Sequence, residues 1–473
     1  MNNSTEIDFD RDVYKEYEDW FKYSKDKVLY VYGPRQVGKT YSIDKFCKRH
    51  FNNIYSFNLF DDAIVNKLNS LLESFTLPNA IKEIFPNFID SEDSVVYIDE
   101  IQESSQVFNG IRSFLKSYKC RLIVSGSFLE VALHNSKFKL PAGNAHIVTV
   151  YPLSFSEFTR IFNLYDVFTS IDLFGSSPKE DYNNLRELYN LYCVLGGMPG
   201  IIISYLSYSG SRNLEDVVAD EFEDLIGVLS NESGKYGYGV YEILKFQELL
   251  ESACSLMMHE SQKSSLEIPN EIQKISIKDN RMTLRKSDIS QLLSYFIGSK
   301  VVLPIPKFID CSPSNKIYNQ RLYFNDVGLF NYVASNMNFP KSSIIGKLNE
   351  NYVCNVLKRK KIKNFGYGYI PGTDSEIDFC YGLGVSNQVV GLEVKTGSMN
   401  GNSVKTALSK GYIKKIVYCK GDTFGGKTDK IDTIPIYLLE RYDFLDCTGL
   451  SHEESKFGFN EINAFSKFNK RRR

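Results

Sequence analysis

Val28-Leu29-Tyr30-Val31-Tyr32 runs straight into Gly33-Pro34-Arg35-Gln36-Val37-Gly38-Lys39-Thr40, an apolar run closing on G-x-x-x-x-G-K-T. A strand feeding such a loop is the sequence form of a phosphate-binding turn, so the chain is expected to bind ATP or GTP at the edge of a parallel α/β sheet. A polyphosphate needs a concave ring of backbone N–H groups, and Gly33 and Gly38 remove the Cβ atoms that would block the approach or forbid the dihedrals. The helix opening near Gly38 adds the positive end of its dipole, Lys39 reaches the β- and γ-phosphates, and the Thr40 hydroxyl is placed to ligate Mg²⁺. Ile43, Phe46 and Cys47 fall on one helical face, which a chance glycine-rich turn would not require.

Outward from the loop, strand-like and helix-like segments alternate: Ile54 to Leu59, Ala63 to Phe75, Val95 to Ile98 and Arg121 to Val124. That alternation predicts a parallel sheet with helical crossovers. Val95-Val96-Tyr97-Ile98-Asp99-Glu100 is an apolar strand ending in two carboxylates at the edge where parallel sheets hold ligands. Asp99 is expected to support Mg²⁺ and Glu100 to orient and activate the attacking water, which favours hydrolysis over binding alone. Two acids opening a helix would look the same in isolation; the phosphate loop upstream is what tips the reading towards catalysis. Ser125-Gly126-Ser127 ends the next strand, and the Ser125 hydroxyl is expected at the nucleotide.

The chain has 473 residues and a formal net charge of −1, too long for one ordinary core and without the basic excess of a nucleic-acid coat. Nine cysteines are scattered with no C-x-x-C among them and only five histidines, which argues against a zinc site or a disulfide framework and fits a reducing cytoplasm. Met1 to Asp12 is polar and lacks a signal-peptide core. Leu191 to Leu206 is the most apolar stretch, but Gly196-Gly197, Pro199 and Gly200 interrupt it, so it reads as a buried helix pair broken by a turn, not a membrane span. Tyr14, Tyr17 and Trp20 read as packing residues.

The loop, the Tyr97-Ile98-Asp99-Glu100 strand end, Val124-Ser125-Gly126-Ser127, the Tyr151-to-Phe158 segment YPLSFSEF and Gly196-Gly197-Met198-Pro199-Gly200 together resemble the AAA-type ATPases that carry a C-terminal domain of unknown function related to restriction nucleases. The resemblance runs from about 25 to 400. It implies a P-loop ATPase core over 1–150, a helical lid over 151–235, a winged-helix-like module over 236–340 and a restriction-nuclease-like α/β domain over 341–445, with 446–473 as a tail. It also implies ATP and Mg²⁺ as cofactors and homo-oligomeric rings in relatives, while the winged-helix-like module is one that binds DNA or a protein partner. Members of that family commonly carry Gly-Arg before the P-L-S-F segment; this chain has Gly143-Asn144, and neutral Asn cannot stabilise charge on a γ-phosphate as a guanidinium does.

A second constellation lies downstream. In Ser375-Glu376-Ile377-Asp378-Phe379 the alternation puts Glu376 and Asp378 on one strand face, and Leu392-Glu393-Val394-Lys395 does the same for Glu393 and Lys395. Adjacent strands would bring Asp378, Glu393 and Lys395 to one point, the D…E-x-K arrangement of the restriction-nuclease-like superfamily. Two carboxylates would hold Mg²⁺ or Mn²⁺, and Lys395 would position water or stabilise the transition state. Glu350 borders the buried side of the helix expected over Gly346 to Lys360, where by resemblance it adds a further metal ligand. A solvated sheet face with fortuitous charges is the competing reading. Residues 346–430 carry fourteen Lys and Arg against seven Asp and Glu, a basic surplus suited to a polyphosphate such as DNA.

Overall fold

The computed structural model describes residues 8–127, 144–210, 212–236, 243–259, 267–278, 284–362, 364–370, 372–373, 375–383, 388–397 and 401–444. Gly143, residues 237–242 and 260–266 of two expected loops, and the basic tail from Lys470 to Arg473 lie outside them. Two compact units emerge, one made of 1–153, 198–229 and 294–301, the other of 154–197, 230–293 and 302–473.

The first unit begins with α1 (Val13–Tyr23), β1 (Val28–Tyr32), α2 (Lys39–His50), β2 (Asn53–Asn58), α3 (Asp62–Leu72), α4 (Leu77–Ile84), β3 (Ser94–Asp99), α5 (Ser105–Ser117), β4 (Arg121–Gly126) and β5 (Ala145–Thr149). The strands form one parallel sheet in the order β2-β3-β4-β1-β5. Its period-2 alternation feeds two cores. Val28, Tyr30, Val96, Ile98, Leu122 and Val124 pack with Ile81, Phe108, Ile111 and Phe114 on one face. Leu29, Val31, Val95, Tyr97 and Ile123 meet Tyr17, Trp20, Ile43, Phe46 and Cys47 on the other. Both faces are therefore covered, as near-continuous apolar strands in a parallel sheet demand, and each large side chain so buried contributes about 1.5–3 kcal/mol. Ile43, Phe46 and Cys47 do face inward, and Tyr17 and Trp20 are core residues.

The chain continues through α6 (Phe155–Ile161), α7 (Tyr165–Ser170), α8 (Lys179–Leu195), α9 (Pro199–Leu206), α10 (Leu214–Tyr236), α11 (Ile243–Met258), α12 (Ile268–Lys278), α13 (Lys286–Gly298), β6 (Val302–Ile309), β7 (Lys316–Phe324), α14 (Val327–Asn336), α15 (Lys341–Arg359), β8 (Phe365–Tyr369), β9 (Glu376–Gly382), β10 (Val389–Lys395), α16 (Asn402–Ser409), β11 (Lys415–Lys420), β12 (Gly426–Lys427) and β13 (Ile431–Pro435). The second unit is built on a mixed sheet ordered β12-β13-β11-β10-β9-β8-β6-β7. α15 lies against β10, and α16 covers β9 and β11 through Val404 and Ala407, which join Ile377, Ile413 and Ile416 in one apolar cluster.

Two expected boundaries differ from the structure. The lid expected over 151–235 does not stay together: 154–197 belongs to the second unit and 198–229 to the first. The break is the expected turn in the apolar stretch, between α8 and α9. Asp326 anchors the second-unit side of it, accepting 2.7 Å from the Gly197 N–H while capping α14 at the Leu329 N–H, 2.9 Å away. The boundary expected at 340 also runs inside a compact unit. The β6–β7 hairpin follows helices, but β6 pairs in parallel with β8, Lys307 opposite Tyr367, so the hairpin is the edge of the C-terminal sheet. A pairing sixty residues apart leaves no local signal.

Asp326→Ala is expected to destabilise the protein by about 2–4 kcal/mol, the sum of a lost helix cap and a buried N–H left unsatisfied. Urea unfolding of the intact chain measures it. No single helix among the described residues is long and apolar enough to cross a membrane.

Candidate functional site

At the end of β1 the chain turns so tightly that a Cβ on Gly33 would lie 2.1 Å from the Val150 carbonyl oxygen, and Gly38 sits at φ +85°. Lys39, almost fully buried, donates to the Gly33 carbonyl at 3.0 Å, the Pro34 carbonyl at 2.8 Å and the Ser127 hydroxyl at 3.1 Å. Its ammonium thus stands in the mouth of the loop. Val37 is buried in the core and Gln36 adopts φ +57°. Arg11, which sequence did not single out, braces the loop from outside by donating to the Val37 carbonyl at 3.1 Å and the Tyr151 carbonyl at 2.7 Å.

Asp99 and Glu100 end β3 beside this loop, both buried. The Thr40 hydroxyl donates to Asp99 Oδ2 at 2.8 Å, which places together the two groups expected to serve Mg²⁺. The Ser125 hydroxyl bonds Asp99 Oδ1 and lies 2.8 Å from the Tyr97 hydroxyl, so it orients the carboxylate. The hydroxyl at the Lys39 ammonium belongs to Ser127, two residues on in the same strand-end segment. Glu100 adopts φ +52°, a left-handed conformation costing a non-glycine residue about 1–2 kcal/mol. Its carboxylate accepts from Arg35 Nη1 at 3.0 Å, Gln102 Nε2 at 2.5 Å, the Ser127 N–H at 3.3 Å and the Ser127 hydroxyl at 3.4 Å. Asn144 supplies a backbone carbonyl to the Val28 N–H at 2.9 Å, extending the β1–β5 pairing.

In the second unit β9 and β10 are antiparallel neighbours, with Leu392 opposite Phe379. Asp378 therefore stands next to the end of β10, and its Oδ2 accepts from the Val394 N–H at 2.7 Å. Lys395 Nζ lies 2.8 Å from Glu393 Oε1. Burial pushes the Asp378 carboxyl well above the usual range, and the charges of Glu393 and Glu350 push it further. Burial also raises Glu393. For Lys395 burial opposes the charge, but Asp378 and Glu393 outweigh it and raise the ammonium's pKa. Three of the expected groups are thus in one place. Glu350 is near enough to act on all of them electrostatically, yet both its oxygens take the Lys347 ammonium, at 3.1 and 2.9 Å.

A divalent cation fits the chemistry of this cluster in one respect above all: Glu393 Oε2 is buried with no hydrogen-bond partner. A buried oxygen of that kind is a place where a water or an ion can bind. Among the described residues, however, no three His, Cys, Asp or Glu side chains are gathered into a ready metal cage, and Lys395 and Lys347 pair with Glu393 and Glu350. Gly401, which no motif marked, stands close to this cluster: a Cβ there would lie 2.2 Å from Glu393 Oε1 and would require that side chain to move. Lys420 stands opposite Lys395 in the parallel β10–β11 pairing, and burial and then the nearby Lys405 lower its pKa. Eight described cysteines are buried with free thiols.

Residues 25–159 match the family model described as an AAA domain. An uncharacterized protein of Methanocaldococcus jannaschii, MJ1544, is 22% identical over 358 residues, which cover 75% of this chain and 71% of that one. Among solved structures, the Thermotoga maritima RuvB Holliday junction branch migration motor aligns with 65% of this chain and 90% of its own at 14% identity and a TM-score of 0.28. The Aeropyrum pernix ORC1 protein in complex with DNA covers 70% and 94% at 10% identity and 0.29. Scores of that size carry no functional conclusion. The family match and the loop geometry define the class: the first part of this chain is an AAA-type P-loop ATPase domain that binds ATP.

Proposed function

We propose that the chain is an ATP hydrolase whose nucleotide state controls a metal-dependent, DNA-cleaving site in its second unit. At the first site, Gly33 to Thr40 wrap the phosphates, Lys39 exchanges its carbonyl partners for β- and γ-phosphate oxygens, and Thr40 with Asp99 would hold Mg²⁺. Glu100 orients the attacking water and accepts its proton. At the second, Asp378 and Glu393 would hold Mg²⁺ or Mn²⁺, which supplies charge neutralisation and an activated water. Lys395 leaves Glu393 to position that water or to meet charge developing on the phosphate, and Lys405 and Lys420 draw in the anionic backbone.

The observation that carries the nuclease reading is the convergence of Asp378, Glu393 and Lys395 beside a buried, unpartnered carboxylate oxygen. The Lys347–Glu350 ion pair favours a second reading, in which the unit binds nucleic acid or a protein partner without cutting. Plasmid and oligonucleotide cleavage with Mg²⁺ or Mn²⁺, compared between wild type and Asp378→Ala or Lys395→Ala, separates the two. Cleavage lost in both variants supports the nuclease; DNA binding with no cleavage in any protein supports the switch.

A further inference from the structure

The Glu100 carboxylate receives four donors, two on each oxygen: Arg35 Nη1 and the Ser127 hydroxyl on Oε1, Gln102 Nε2 and the Ser127 N–H on Oε2. A carboxylate offers about four acceptor sites. In this arrangement none is left for a water, so the group expected to prepare the nucleophile is out of service. The strongest of the four donors is a cation, and it comes from the phosphate loop itself. Arg35 is the third residue of the loop, its guanidinium 4.8 Å from the centroid of the Phe60 ring and 3.0 Å from the glutamate.

We infer that Arg35 is a positioning residue that exchanges partners: it holds Glu100 while no γ-phosphate is present and moves to the γ-phosphate when ATP binds, freeing Oε1 for the attacking water. This deepens the ATPase reading given above and rests on it. A guanidinium matches phosphate oxygens as well as carboxylate oxygens in geometry, and a γ-phosphate carries more charge than one carboxylate. ADP lacks the group that would draw Arg35 away. Arg35 therefore also sets the preference for triphosphate over diphosphate, and the base is assembled by the substrate it acts on.

The test is a double-mutant cycle on nucleotide affinity, read with fluorescent ATP and ADP analogues and Mg²⁺ in the intact chain. Glu100→Gln removes the competing charge and should tighten ATP by about five- to tenfold while leaving ADP within about twofold. In the Arg35→Ala background the same substitution should no longer favour ATP, because no guanidinium remains to be released. Arg35→Ala alone should lower the ATP-over-ADP preference and kcat with little change in ADP affinity, and Arg35→Lys should restore part of both. An equal tightening of ATP with and without Arg35 would mean simple repulsion between Glu100 and phosphate and would overturn the exchange. So would unchanged ATP affinity in Glu100→Gln. The cycle reads binding alone, so undiminished hydrolysis by Glu100→Gln would remove Glu100 from catalysis without touching the exchange.

Discussion

Glu100→Gln is expected to keep ATP bound and to lose turnover by about 100- to 10,000-fold, the usual worth of a positioned base. The substitution retains the shape of the side chain and one acceptor oxygen, so the turn at φ +52° keeps a near-isosteric residue and the Gln102 Nε2 and Ser127 N–H donors keep an acceptor. What it removes is the ability to take a proton from water. Lys39→Ala should fail earlier, at binding, because its buried ammonium is hydrogen-bonded to the Gly33 and Pro34 carbonyls in the mouth of the loop. Measuring nucleotide affinity alongside phosphate release keeps the two failures apart. Undiminished phosphate release by Glu100→Gln would remove that residue from its role.

The second large effect is expected in the C-terminal sheet. Asp378→Ala should lower metal-dependent cleavage by more than about 100-fold, beyond what the loss of an outer-shell partner costs. It deletes a carboxylate that the burial of the site and the charges of Glu393 and Glu350 make costly to keep ionised. Such a cost is tolerated where a cation is to be bound. The same physics gives the substitution a signature that a purely structural residue lacks: Asp378→Ala relieves the like-charge crowding at Glu393, so the protein without metal should be no less stable, while Mn²⁺ should stabilise it less than wild type. Thermal unfolding with and without Mn²⁺ reads both.

The phosphate loop, the acidic end of β3 and the strands carrying Glu376-Ile377-Asp378 and Glu393-Val394-Lys395 were legible because their chemistry is written in adjacent residues. Gly33 to Thr40 and Leu392 to Lys395 are each a single strand end, and period-2 alternation tells which side chains share a face. What sequence did not show depends on contacts between distant segments. Ser127 meets Lys39 while Ser125, two residues earlier, meets Asp99, a division that the Ser-Gly-Ser run does not reveal. Gly401 matters only through its distance to Glu393, and the pairing of β6 with β8 has no local trace. The division of the expected lid likewise follows from Asp326, well over a hundred residues away, receiving the Gly197 N–H. The Arg35–Glu100 pair joins two motifs that were each recognised separately.

Control of the second site by nucleotide is tested most directly by cleavage of plasmid and oligonucleotide DNA with Mg²⁺ or Mn²⁺ under three conditions: no nucleotide, ADP, and ATP held unhydrolysed by Glu100→Gln. The account predicts a cleavage rate that differs between the ATP and ADP states and disappears when Lys395→Ala is added. A rate that ignores nucleotide, or that survives Lys395→Ala, would contradict it.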